Sequence, residues 1–211
     1  LLSSFAVYDI AALAPGAVLD EQSPICADGA ERGPYIDAKL AQEALVRDPA
    51  RGLDWRILRP GLVFGPGRTW FYHLGLHLHP RLWVSLAGAA ELPLTYVGNC
   101  AEAIVAAAEA PEGGWVVNVV DDDRLTRAAY LRALARAATP SPLVVDLPWA
   151  VLRAGGRSAN LVGVHAGMLH PARLAARCQP LRYTNAAARA RLDWRPRVAM
   201  ADAMARSLTA E

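Results

Sequence analysis

Short apolar runs that stop at Pro or Gly alternate with Ala-rich helical stretches along this chain, and that alternation constrains its fold more than any other feature. Asp54 to Arg59 reads as a strand ended by Pro60; Leu94–Val97, Trp115–Val120 and residues 143–147 read as three more. Helices are expected from Tyr35 to about Val46, with Pro34 in the first turn, and along an Ala-rich run that starts at an Asn99 cap and ends before Pro111. Thr126 caps another through about Ala138, and further helices fall near 148–155, 185–192 and 199–209. Parallel neighbours need a crossover between them, so strands and helices in alternation specify an α/β fold with a mainly parallel sheet. Three segments fit less simply. Residues 1–8 read as the end of a buried strand, 9–34 as a long loop, and 69–91 as a short helix around Trp70–Leu78 followed by a turn. The chain opens without Met inside a strand-like run, so further sequence is expected upstream of Leu1.

The 211 residues are enough for a core, and 54% hydrophobic with 20% charged residues excludes a disordered tail or a fibrous repeat. A net charge of +2, with arginines spread along the chain, argues against a nucleic-acid partner. The most apolar stretches, near 99–120 and 143–170, are broken by Glu or Arg, which argues against a membrane span. Three cysteines and no signal peptide fit a reducing cytoplasm.

Of the 22 basic residues, 21 are arginine and one is Lys39. Arg does not replace Lys where a compact point charge is needed. Tyr35 and Lys39 stand four apart, on one face of the expected helix. A phenol beside an ammonium is an acid–base pair in the making, because the positive charge favours the phenolate. Ser4 falls at the C-terminal end of a strand, where open α/β sheets place their ligands, and its hydroxyl can donate to a substrate oxygen.

These residues stand in a wider frame. Ser4-Phe5-Ala6-Val7-Tyr8, a long loop, Pro34-Tyr35-Ile36-Asp37-Ala38-Lys39 with Glu43 one turn later, and Ile57-Leu58-Arg59-Pro60-Gly61-Leu62-Val63-Phe64-Gly65-Pro66-Gly67 together resemble the extended short-chain dehydrogenase/reductase family, the NAD-dependent epimerase/dehydratase superfamily. The segments Leu94–Ile104, Gly114–Val119 with Leu125-Thr126, and Leu192-Asp193-Trp194-Arg195-Pro196 extend the resemblance over nearly the whole chain. It implies Tyr35 as acid/base, Lys39 as a ligand of the nicotinamide ribose that also keeps Tyr35 acidic, and Ser4 as the group orienting the substrate oxygen, with Ser3 in its place if the register slips by one. It puts the Pro60, Gly61, Leu62 and Val63 backbone near the nicotinamide of NAD or NADP, and Arg68 within reach of a substrate phosphate. It further implies a Rossmann-like, doubly wound sheet here lacking its N-terminal strands, a smaller C-terminal substrate-binding α/β region, and a homodimer. Residues 1–64 would belong to the dinucleotide-binding core and 65–211 mainly to the substrate region, with about 92–120 returning to the core sheet.

The departures are specific. The family's strand followed by Gly-x-x-Gly-x-x-Gly is absent, and supplying the strands before Ser4 would take roughly 100 residues at about 30 per βαβ unit. Leu62 stands where nucleotide-sugar members usually carry Asn, and Asp9 where Gly usually follows Val-Tyr. The resemblance therefore leaves open a reductase, an epimerase or a dehydratase acting on a nucleotide sugar or another small hydroxy or keto compound. The alternative is a non-catalytic relic or interaction module with the same fold. Elsewhere, His73, His77 and His79 read as lining a cleft rather than holding a metal, and Asp121-Asp122-Asp123 as a solvated turn. Cys26, Cys100 and Cys178 read as buried or incidental thiols, and the tryptophans as core or cleft lining.

Overall fold

The computed structural model describes residues 1–27, 33–161, 174 and 177–208. Strand β2 (Arg56–Pro60) runs parallel to β7 (Trp115–Val119), in register from Arg56 opposite Trp115 to Pro60 opposite Val119. On the other edge of β2 lies the extended start of the chain. Leu58 donates its N–H to Leu1 O at 3.0 Å, and Ser3 N donates to Leu58 O at 2.7 Å. Pro60 is the next residue that would turn an N–H toward this neighbour, and it has none. Pairing stops there, and the chain enters a 3₁₀ turn at Phe5–Val7. In place of the buried strand end expected over residues 1–8, the chain makes one parallel bridge, Leu2 opposite Leu58, with Leu1 and Leu2 exposed.

Gly61 redirects the chain. Its N–H still bonds Val119 O at 3.0 Å, but Leu62 N bonds Pro93 O at 2.6 Å. From here β3 (Leu62–Phe64) pairs parallel with β6 (Leu94–Tyr96) instead of β7. A Cβ on Gly61 would stand 2.0 Å from Pro93 O, so the change of partner requires a residue without a side chain. Helix α2 (Val97–Glu109) connects β6 to β7. Its buried Ala103 and Ala107, one turn apart, let it lie close to Leu58, Trp115 and Val117. A second core gathers Phe64, Leu94, Tyr96, Tyr130, Leu131 and Met200 beneath helix α3 (Arg127–Ala137). Thr126 caps α3 as expected, its side chain accepting from Ala129 N at 3.2 Å.

The closing helices form as α5 (Ala186–Leu192) and α6 (Met200–Leu208), and α4 spans Trp149–Leu161. The helix near Trp70–Leu78 does not form. Strands β4 (Gly75–His79) and β5 (Leu82–Leu86) make an antiparallel hairpin, and β8 (Leu143–Leu147) adds to β5 in parallel. The ring of His77 lies between Trp70 at 3.7 Å and Trp83 at 4.5 Å, a cross-strand cluster that holds this segment extended. The long loop also carries more structure than expected: β1 (Val18–Leu19) pairs parallel with β9 (Arg182–Tyr183).

Two polar assignments change as well. Asn99 is not a cap, since α2 begins at Val97. It is buried, donates to Asp121 Oδ1 and Val198 O, and accepts from Val198 N. Of the three aspartates expected in a solvated turn, Asp121 is buried, whereas Asp122 and Asp123 are exposed at the strand end as expected. Asp121 accepts from Tyr96 N and Asn99, Asp122 from Asn185, and Asp123 from Met200 N. This run fastens α5 and α6 to the end of β7.

Candidate active site

Helix α1 (Pro34–Arg47) starts with Pro34 at its first position, as the sequence predicts. It brings Tyr35 and Lys39 onto one face. Tyr35 is 57% exposed. The Lys39 ammonium stands 6.0 Å from the centroid of the Tyr35 ring, at the outer limit of a cation–π contact. It donates to Leu2 O at 2.9 Å and to Gln42 Oε1 at 3.2 Å. An ammonium has three hydrogens, so one remains for a ligand.

The acceptor of that first bond lies two residues before Ser4. Ser4 is half-buried at the mouth of the 3₁₀ turn, where its Oγ accepts from Ala6 N at 3.1 Å. This leaves the hydroxyl hydrogen able to donate. Ser3 is in a different position: it is buried, and its hydroxyl donates to Glu43 Oε1 at 2.5 Å. Of the two serines, Ser4 has the hydroxyl available for a ligand.

Pro60 closes β2, Gly61 lies beside the end of β7, and Leu62 and Val63 open β3 beside β6. Arg68 is exposed at the close of a tight turn bridged to Gly65, with Gly67 at φ 71°. The histidines lie elsewhere in the chain's topology. His77 and His79 are exposed on the β4–β5 hairpin and border an open cavity of about 260 Å³ with Leu78, Pro80 and Trp83. Among the described residues, no group of three or more His, Cys, Asp or Glu side chains is placed to hold a metal ion. The three cysteines are buried and in no disulfide, and Cys26 Sγ donates to Tyr8 O at 3.4 Å.

Beneath Lys39 lies a group whose roles sequence reasoning missed. Glu43, 4% exposed, accepts from Arg59 Nε at 2.9 Å and Arg59 Nη2 at 2.6 Å. Arg59 is fully buried, and its guanidinium lies 4.7 Å from the centroid of the Tyr8 ring. Burial alone would raise the Glu43 carboxyl, but hydrogen bonds from Arg59 and Ser3 and the charges of Arg59 and Arg47 hold it below the usual range. Arg59 is correspondingly raised: desolvation works against its charge, and the hydrogen bonds and charges of Glu43 and Tyr8 together outweigh it. The available signals were a charged residue inside an apolar strand and an acid one turn past Lys39.

The sequence pattern of the NAD dependent epimerase/dehydratase family matches residues 1–120. No curated protein matches the chain. Among solved structures, UDP-glucuronic acid 4-epimerase from Bacillus cereus, in complex with UDP-glucuronic acid and NAD, superposes with a TM-score of 0.67 at 19% identity, over 99% of this chain and 59% of that one. RMD from Pseudomonas aeruginosa complexed with NADPH gives 0.67 at 18% identity, over 99% of this chain and 63% of that one. A UDP-galactose 4-epimerase gives 0.63 at 18% identity, over 99% and 61%. The chain therefore spans about three-fifths of the length of these structures, and the likeness extends to the fold.

Proposed function

The chain belongs to the NAD dependent epimerase/dehydratase family, and from that premise we propose that it takes part in hydride transfer at an alcohol or ketone carbon, with Tyr35 as the acid/base. The observation that carries this reading is the Lys39 ammonium. It is tied to Leu2 O at 2.9 Å and held within 6.0 Å of the ring of an exposed Tyr35, with Ser4 two residues further along the same segment.

Each residue has a task. Ser4 donates its hydroxyl hydrogen to the substrate oxygen and holds it. Tyr35 accepts the hydroxyl proton of an alcohol as the carbon loses hydride, or returns it to a ketone in the reverse direction. The ammonium of Lys39 stabilises the phenolate that forms. The same ammonium has one hydrogen left that would serve a ribose hydroxyl, and the Pro60–Val63 backbone would border the nicotinamide. NAD or NADP, when bound, accepts and gives back the hydride. The donor set supports a fit to the nicotinamide end of such a cofactor, since it brings one ammonium, on α1, to the segment that carries one hydroxyl able to donate. A Gly-x-x-Gly-x-x-Gly cradle for the pyrophosphate is not part of these 211 residues.

The substrate we propose is a nucleotide sugar or another small hydroxy or keto compound, with exposed Arg68 as the contact for a phosphate. The resemblance adds a homodimer, and the low cysteine content a cytoplasmic location, as further proposals. The test is Tyr35→Phe in the complete protein, assayed against a panel of nucleotide sugars and small ketones. Turnover is expected to fall by about 100-fold or more, with NAD(P) affinity retained. Equal turnover in the variant removes Tyr35 from the chemistry.

A further inference from the structure

Helix α1 has a single fully buried side chain, and it is a carboxylate. A surface helix ordinarily docks through an apolar stripe. Here Leu45, two residues past Glu43, is 49% exposed, whereas Glu43 is 4% exposed. Directional polar bonds therefore seat this helix where apolar packing usually does. Glu43 Oε1 accepts from Ser3 Oγ at 2.5 Å and Arg59 Nε at 2.9 Å, and Oε2 accepts from Arg59 Nη2 at 2.6 Å and Arg47 Nη2 at 3.0 Å.

Three segments of the candidate site meet on this one group. Ser3 directly precedes Ser4, Arg59 directly precedes Pro60–Val63, and Glu43 lies one turn beyond Lys39. We propose that Glu43 is a positioning residue for the reaction: its carboxylate sets the rotation and depth of α1, so that Tyr35 and Lys39 face the segment that carries Ser4. The inference rests on the reading of Tyr35, Lys39 and Ser4 given above. A two-pronged Arg–carboxylate pair fixes orientation as well as distance. The bond from Lys39 to Leu2 O, one turn away on the same face, gives a second fixed point. Stability alone does not account for the arrangement, because well-packed apolar replacements of a buried ion pair are often neutral or stabilising.

The experiment replaces both partners at once in the complete protein, Glu43→Leu with Arg59→Met, so that neither charge is stranded. The unfolding midpoint is expected to hold. Amide hydrogen exchange across residues 34–47 should speed up, and kcat should fall about 100-fold with KM changed less than about threefold, the signature of misplaced reacting groups. A folded double variant with wild-type kcat overturns the proposal. If the double variant does not fold, Ser3→Ala decides, since it keeps the ion pair and removes one contact. About a tenfold loss in kcat at constant KM supports the proposal; unchanged kcat overturns it. If Tyr35→Phe leaves turnover intact, the functional reading fails by itself. Exchange across α1 in the Glu43 and Arg59 or Ser3 variants then settles the role of Glu43: faster exchange supports it, and unchanged exchange overturns it.

Discussion

Tyr8 donates its phenolic hydrogen to Asn118 Oδ1 at 2.7 Å, joining residues 110 apart in sequence. The bond ties the turn after Ser4 to β7, and both side chains are fully buried. Tyr8→Phe leaves the Asn118 oxygen without its donor in a dry site. The expected cost is about 1–3 kcal/mol, read from the midpoint of denaturant unfolding.

The same phenol makes stability fall in alkali. Burial raises Tyr8 to about 12, against the opposing pull of Arg59, and burial raises Tyr183 to about 12 as well. In the unfolded chain both ionise near about 10. Between those values the folded protein binds more protons, so its stability decreases as pH rises through that window. The unfolding free energy followed across this range should slope downward, and Tyr8→Phe should make the slope shallower.

Asp121 acts at the other end of the scale. Burial raises its carboxyl to about 6, despite hydrogen bonds from Tyr96 N and Asn99. The folded state again binds more protons, here between about 4 and 6, so stability decreases as pH rises through that window, by roughly 3 kcal/mol from this group. Glu43 and Asp122, both held low, have the opposite sign and lose their contribution as pH falls below about 4. Stability measured from pH 4 to 6 should lose its Asp121 component in Asp121→Asn.

Gly61→Ala tests the point where the chain changes partner strand. The new methyl would lie 2.0 Å from Pro93 O, a backbone atom that cannot swing away. A loss of about 1–3 kcal/mol or more is expected, together with weaker cofactor binding as the Pro60–Val63 segment shifts. An unchanged unfolding midpoint would show that the β2–β3 junction has room for a side chain.

Where local chemistry decides a structure, the sequence announced it. Pro34 starts α1, Thr126 caps α3, and the spacing of Tyr35 and Lys39 puts them on one face. Where a distant partner decides, the sequence misled. Trp70, His73 and His77 fall at helical spacing, yet pairing of β4 with β5 wins, and a register shift between His77 and His79 hides the alternation a strand would show. Asp121 read as solvated because its partners, Tyr96 and Asn99, come from other elements. Glu43 stood in the family pattern one turn past Lys39 with no partner assigned, for the same reason: Arg59 meets it from another element. Ser3 and Ser4 were separable only once the structure showed which hydroxyl Glu43 takes.

The account stands on hydride leaving a substrate carbon under the control of Tyr35. The most direct measurement is a single turnover of the complete protein with substrate deuterated at the reacting carbon, quenched at successive times so that deuteride held on the nicotinamide is caught before it is given back, with the nicotinamide recovered and its deuterium content read by mass spectrometry. The account predicts deuterium on the nicotinamide in the wild-type protein and its loss in Tyr35→Phe, with cofactor still bound. Label transferred equally by the variant, or product formed without any label reaching the nicotinamide, would contradict it.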